Sequence, residues 1–401
     1  MFKPSESMIT LVLLTGLLTR VVVALINSFI GPTLGAEIDA LGFSRMASNF
    51  AITGNIEVTI IGELGAGVYT QFLGYIYRYS FNSLFFGCIL SIIAWLISAI
   101  FILKSLKLLS FDTSSRFFAI LIFALMPSSI FYTSVTLREP FQLLFLTLLI
   151  FSMIKFYINR SALHFFLIPL WAIGLASLHN VLLPIAMFCI FFYIIFLSLT
   201  RLENIFTKVR FYVIVLSCLS IIPLTLQTYD TFVAYSSLTE KGIIYAIQAY
   251  QEGLLGDGAG ARTFYRTNSI GEDLGSFVLF LPTAFIQYQL EPFPWKIETV
   301  GDLLFFIENC IRSSLIIFSA VYLIKNKKEI HKQIYFSLLF IFIIYFIVES
   351  IWSLGTLNWG TASRHHIPAL GLLSIVAAPA LASSRFFLFD SKSTLKLYSK
   401  V

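Results

Sequence analysis

Carboxylates are scarce in this sequence, yet Glu37 and Asp39 stand two residues apart, just after the first long apolar run. A carboxylate there can take a proton from a hydroxyl or help to hold a cation. Asp39, Phe43 and Ala47 recur at i, i+4 and i+8, so a helix would place them on one face, with Glu37 a little off it. In "YTSVTLREPFQLLF" (132–145), Arg138 and Glu139 are almost all that separates two apolar stretches. Pro140 suits the first position of the second helix, and Glu139 just ahead of it faces that helix's positive end. Glu139 therefore reads as a cap, with Arg138 pairing to it or snorkelling toward lipid headgroups. The other reading of Arg138 is a planar, permanently charged fork that suits a phosphate. In "GTASRHHIPALGLLSI" (360–375), Arg364, His365 and His366 directly precede an apolar helix with Pro368 in its first turn. Arg and His at a helix N-terminus make an anion site. Adjacent histidines cannot project the same way from a helix, so no paired-His metal site is expected. His179 sits between two apolar runs and reads either as an interfacial histidine or as a ligand-binding one. Arg262 and Arg266 stand in a long polar stretch with Tyr265 between them.

These residues must be positioned by a chain of unusual composition. It has 401 residues, of which 58% are hydrophobic and 12% charged, with 42 Phe. Soluble domains are nearer half apolar and a quarter charged. The apolar residues come in blocks long enough to cross a bilayer as helices. The expected fold is all-α: a polytopic integral membrane protein with about ten spans. They fall near 8–30, 82–103, 117–135, 141–159, 163–178, 180–200, 211–227, 302–324, 334–353 and 367–384. The shorter apolar piece at 276–290 runs into Pro292 and Pro294 and reads as a re-entrant or interfacial helix. Arg20 interrupts the first run and no small-residue cleavage site follows, so a retained helix is expected there.

Basic residues orient the chain. With the N-terminus in the cytoplasm, 17 of the 27 Lys and Arg fall in cytoplasmic loops, while 16 of the 21 carboxylates lie outside or near outer helix ends. Residues 31–81 and 228–301 then form two large loops on the outer face of the cell (inner) membrane. The net charge of +6 reflects inside-positive loops. No basic face is interleaved with aromatics, so no nucleic-acid partner is expected.

Cys88, Cys189, Cys218 and Cys310 all lie in apolar runs without C-x-x-C spacing and read as buried packing residues. The glycines of "GLLGDGAGAR" (253–262) lack a strand–helix context and read as a flexible turn rather than a phosphate cradle. Ionisable residues deep in the spans are few: Arg20, Glu308, Arg312 and Glu349. Glu308 and Arg312, at i and i+4, are placed to pair. That scarcity favours chemistry at the membrane surface over passage through its middle.

The acidic stretch with its aromatic and small residue, Asp39–Phe43–Ala47, resembles the first outer loop of the GT-C superfamily of membrane glycosyltransferases. "SRHHIPAL" is similar to the Arg–aromatic–Pro pattern that opens a late helix in that family, with His in the aromatic's place. "EPFPWKIET" (291–299) is similar to its polysaccharide-assembly members. The resemblance covers the architecture of most of the chain. It implies a sugar donor on a polyprenyl phosphate, a glycan or lipid-linked acceptor, and a site at the outer face of the bilayer. Asp39 is then the expected general base, with Glu37 as the other candidate, because the family's paired acidic motif is not clear here. Arg138 and Arg364 would stabilise the leaving phosphate, with Glu139, His179, Arg262, Arg266 and His365 as further substrate-binding residues. No cofactor is expected; a divalent metal on Glu37, Asp39 and a His has no spacing rule behind it. Two carboxyls about 5 Å apart would suit a retaining hydrolase, and that stays open for Glu37 with Asp39. The alternatives are a glycan polymerase or ligase, and a non-enzymatic flippase or transporter of lipid-linked or anionic cargo.

Overall fold

The computed structural model describes residues 4–34, 36, 39–54, 64–179, 181–200, 248, 251, 262–265 and 274–383. Its regular elements are all helical: α1 (Glu6–Phe29), α2 (Asp39–Thr53), α3 (Leu64–Tyr79), α4 (Leu84–Leu108), α5 (Thr113–Leu125), α6 (Pro127–Tyr132) and α7 (Glu139–Asn159). They continue with α8 (Ala162–Ala176), α9 (Leu182–Thr200), α10 (Leu274–Leu290), α11 (Val300–Lys325), α12 (Lys332–Gly355), α13 (Trp359–His365) and α14 (Ile367–Ser383).

Five of these, α1, α4, α7, α11 and α12, are long and apolar enough to cross a membrane; counting the bent pair α13–α14 as one span makes six. Among the described residues, helix length therefore carries fewer spans than the ten apolar runs suggested. The runs at 117–135 and 163–178 yield helices of 13 and 15 residues, too short to span as straight cylinders. The run at 211–227 lies outside the described residues. The piece at 276–290 is one continuous 17-residue helix, α10.

The side-chain pattern is that of a lipid-facing bundle. On α1, Leu11, Leu14, Leu18, Val22 and Leu25 are exposed, while Gly16, Arg20, Ala24 and Asn27 are buried. On α11, Ile307, Ile311, Ile317, Phe318 and Ile324 face outward, and Glu308, Asn309, Arg312 and Ser319 face inward. A water-soluble helix has the reverse arrangement. Apolar outside and charged inside is stable only where the surroundings are hydrocarbon. Cys310 belongs to the exposed face of α11, which corrects its expected burial; Cys88 and Cys189 are buried.

Pro127 divides the apolar run at 117–135. It has no N–H for the Phe123 carbonyl, and Ser129 Oγ donates to that carbonyl instead (3.1 Å). Ser128 N–H, which a continuous helix would aim at Ala124, donates to Glu308 Oε2 (2.8 Å). The abandoned Ala124 carbonyl accepts from Arg20 Nη1 (2.9 Å). Arg20 completes its fork on Gly16 O, Thr133 Oγ1 and Ser129 Oγ, with its guanidinium 3.8 Å from the Trp95 ring. A buried cation is thus satisfied by groups that the helix break released.

Apolar all round, α14 is buried along almost its whole length. It packs against α4, α5, α7, α11 and α12. It meets α13 at 59°. Pro368 cannot donate to the Arg364 carbonyl, which accounts for the break between them.

The hairpin of α2 and α3 lies beside this bundle. Gly74 lets the two helices touch: a Cβ there would meet Phe50 Cδ1 at 2.5 Å and the Ala47 carbonyl at 3.0 Å. Gly65 seats α3 on the segment before α9, where a Cβ would meet the Leu178 carbonyl oxygen at 2.3 Å and His179 Cα at 2.5 Å.

Candidate functional site

Asp39 occupies the first turn of α2, where a carboxylate is favoured by the helix dipole. Four residues on, Phe43 is buried edge-on against Tyr69 of α3 (5.2 Å, 88°). Ala47 is buried on the same face. This face anchors α2 and aims Asp39 at Arg364, with which it forms an ion pair. Arg364 Nε also lies 3.0 Å from Glu139 Oε1, at the start of α7. The Arg138 guanidinium lies over the Phe43 ring, 5.1 Å from its centroid, and its charge reaches Asp39. Two guanidinium groups and two carboxylates from α2, the start of α7 and α13 are thereby brought together. Their formal charges cancel. Glu139 thus meets a cation from far along the chain, Arg364 of α13, which stands where Pro368 breaks the helix.

Burial pushes the Asp39 carboxyl upward, but the charge and hydrogen bond of Arg364, with the Arg138 charge, outweigh it. The group sits below the usual carboxylate range. Asp39 keeps 42% of its side-chain surface open, against 3% for Glu139. Of the two described carboxylates, Asp39 alone can meet an incoming molecule without rearrangement.

A layer of aromatic rings backs the charges. His179 Nδ1 accepts from Val181 N–H (3.2 Å), so a neutral ring carries its proton on Nε2. Burial holds His179 well below its ordinary range, and the Arg138 and Arg364 charges push the same way. Its ring meets Trp352 edge-on (5.1 Å), and His365 stacks on the other part of that layer, 3.9 Å from Trp352. His365 Nδ1 is 2.9 Å from Thr356 Oγ1. Tyr132 OH bonds Ser363 Oγ (2.7 Å) and so ties α13 to α6. Trp352 and Thr356 were not among the sequence candidates. Their signal was slight, an aromatic and a hydroxyl at i and i+4 at the end of an apolar run.

Arg262 lies apart from this group. It forks onto Asp302 at the start of α11 (2.6 and 3.2 Å), with Glu298 3.9 Å away. Asp302 also accepts from Trp359 Nε1 (2.9 Å) and closes a capping box with Thr299. Residues 263–265 pair with 356–359 through Tyr265 N–H to Leu357 O (3.0 Å) and Trp359 N–H to Thr263 O (3.2 Å). Arg262 therefore fastens the segment leading into α13. Glu37 and Arg266 lie outside the described residues. Among the described residues, no three His, Cys, Asp or Glu side chains converge on one point. No protein family and no curated protein matches this chain.

Proposed function

We propose that this protein is a membrane glycosyltransferase of the GT-C kind, moving a sugar from a polyprenyl-phosphate carrier to a glycan or lipid-linked acceptor. The reading places the site at the outer face of the cell (inner) membrane, with the N-terminus in the cytoplasm and about ten spans in all. The observation that carries it is the partly open Asp39 held against Arg364 and Arg138 at the ends of three helices. Asp39 takes the proton of the acceptor hydroxyl as its oxygen forms the new bond to the anomeric carbon. The bond from that carbon to the carrier phosphate breaks, and the charge gained by the phosphate falls on Arg138 and Arg364. Arg364 cannot serve Asp39 and a phosphate equally well. The arriving donor draws Arg364 away and leaves Asp39 a stronger base than in the resting protein. Base and leaving-group cations are thus coupled before the reaction starts. Neighbouring His179 and His365 are neutral wall groups in this scheme, and Glu139 holds Arg364 in reach.

The test is Asp39→Asn, with Glu37→Gln beside it, assayed in membranes at equal expression. Loss of a general base lowers the rate by about 10²- to 10⁴-fold, and full glycan formation by both variants would refute the assignment. A second reading, a carrier of lipid-linked or anionic cargo, is favoured by the ionisable pairs inside the bundle, Glu308–Arg312 and Glu349–His366. A carrier would still move its cargo in Asp39→Asn while forming no sugar bond even in the wild type.

A further inference from the structure

Glu349 of α12 and His366, at the break before α14, are both closed to solvent. His366 Nδ1 lies 2.6 Å from Glu349 Oε2, and its Nε2 lies 3.2 Å from the Tyr288 carbonyl oxygen. A neutral imidazole has one N–H and one lone pair, but both neighbours of this ring are acceptors. The Tyr288 carbonyl has no proton to give, so Nε2 must carry its own. The proton inside the 2.6 Å contact is then a further one. It can be written on Nδ1, as an imidazolium facing a carboxylate, or on Glu349, as a carboxylic acid facing a neutral ring. A bare Nε2 would instead oppose the carbonyl's lone pairs inside the bundle.

The surroundings accept this neutral, proton-bearing pair. Besides Glu349, the charges that reach the His366 ring are those of Arg312 and Glu308 on α11, opposite in sign. Arg312 is itself held by Glu308 at 2.6 Å. From α10, Gln289 Nε2 donates to Glu349 Oε2 (2.5 Å), and Tyr288 lies with its ring 4.2 Å from His366. Tyr345, one turn before Glu349 on α12, faces the same carboxylate. Glu349 Oε1 is closed to solvent and has no hydrogen-bond partner among the described residues. An unaccompanied oxygen suits the carbonyl half of a protonated carboxyl better than half of a carboxylate.

We propose that Glu349 and His366 together form a binding site for a single proton, one that neither side chain would retain in water at neutral pH, and that this proton fastens the α13–α14 joint to α12 and α10. Glutamate and histidine ordinarily release their protons near pH ~4.3 and ~6.5. The folded chain therefore holds one proton more than the unfolded chain above about pH 6.5, and linkage makes stability fall as pH rises. Arg364 stands two residues before His366, so the proton also holds the mount of that cation. This last consequence rests on the glycosyltransferase reading and appears only in activity against pH; the proton itself does not depend on it.

The experiment is ¹⁵N-histidine NMR of the full chain in detergent, with only five imidazoles to resolve, beside equilibrium unfolding of the wild type and Glu349→Gln across about pH 7 to 9. In the variant the new amide donates to His366 Nδ1, and Gln289 can turn its own amide to match, so the joint stays filled while the titrating carboxyl is gone. The expected result is a His366 Nε2 that stays protonated, and a wild-type folded-to-unfolded ratio that drops relative to the variant by about tenfold per pH unit. A deprotonated Nε2, or identical pH dependence of the two proteins, would overturn the proposal. If Glu349→Gln does not accumulate, the wild-type Nε2 shift decides the matter, assigned through the imidazole signal lost in His366→Gln.

Discussion

Asp39 and Arg364 sit in one ion pair but differ in what their removal does. The Asp39 carboxyl lies below its ordinary value of 3.8 in the folded chain, so its pair with Arg364 stabilises at neutral and mildly acid pH. That contribution disappears as the pH falls through the depressed value. The stability difference between wild type and Asp39→Asn should therefore be present at pH 6 and close below about pH 4, which thermal denaturation in detergent at several pH values would measure. Arg364→Ala strips the cation from buried Glu139 as well as from Asp39. Breaking a buried pair by removing one partner costs about 3–5 kcal/mol. The variant should lose most of its folded yield in size-exclusion chromatography, whereas Arg364→Lys keeps the charge and folds but cannot reach both carboxylates with one fork. Arg138, Glu139, Arg364 and Asp39 were each legible in the sequence as charges that an apolar chain would not carry idly. Their pairing was not. Neighbours are the pairs a sequence displays, whereas the fold brings Arg364 to Asp39 and Glu139 from the far end of the chain.

The helices place these groups through close backbone approaches, and two glycines of α3 separate that effect from helix propensity. A Cβ on Gly65 would meet the Leu178 carbonyl oxygen at 2.3 Å, whereas at Gly67 it meets nothing within 4 Å. Gly65→Ala should destabilise by about 1–3 kcal/mol and shift the His179 segment. Gly67→Ala should be neutral or stabilising by up to about 1 kcal/mol, because alanine is the better helix former. Melting temperatures of the two variants check this, and equal losses would contradict the close contact at Gly65. Arg20 belongs to the same scale. Arg20→Ala leaves the Ala124 carbonyl and its neighbours without a donor at the Pro127 break, so a loss of at least about 1–3 kcal/mol is expected in the same assay. Pro127 and Pro368 were visible in the sequence, yet only one was connected to a helix end. Hydropathy averages over a proline, so the run at 117–135 looked continuous although its hydrogen bonds cannot be.

The proposed orientation of the whole molecule puts 228–301 outside. Leu255→Cys, in a background without the four native cysteines, should react with an impermeant maleimide added to whole cells; protection there, with labelling only after lysis, would invert the topology. What the sequence determined by itself was the class: its low charge and long apolar blocks admit few structures other than a helical membrane bundle, because the bilayer demands that backbone polar groups be satisfied within each segment. It also exposed the few charges worth following, since each costs free energy in that setting. Only the tertiary structure decided which of those charges meet. Asp39 with Arg364, Arg262 with Asp302 and Glu349 with His366 are contacts between distant segments. Arg364 and His366 stand at the break that Pro368 makes, and Gly74 and Gly65 seat the hairpin that carries Asp39; a one-dimensional pattern of apolar runs carries neither distance nor direction between helices.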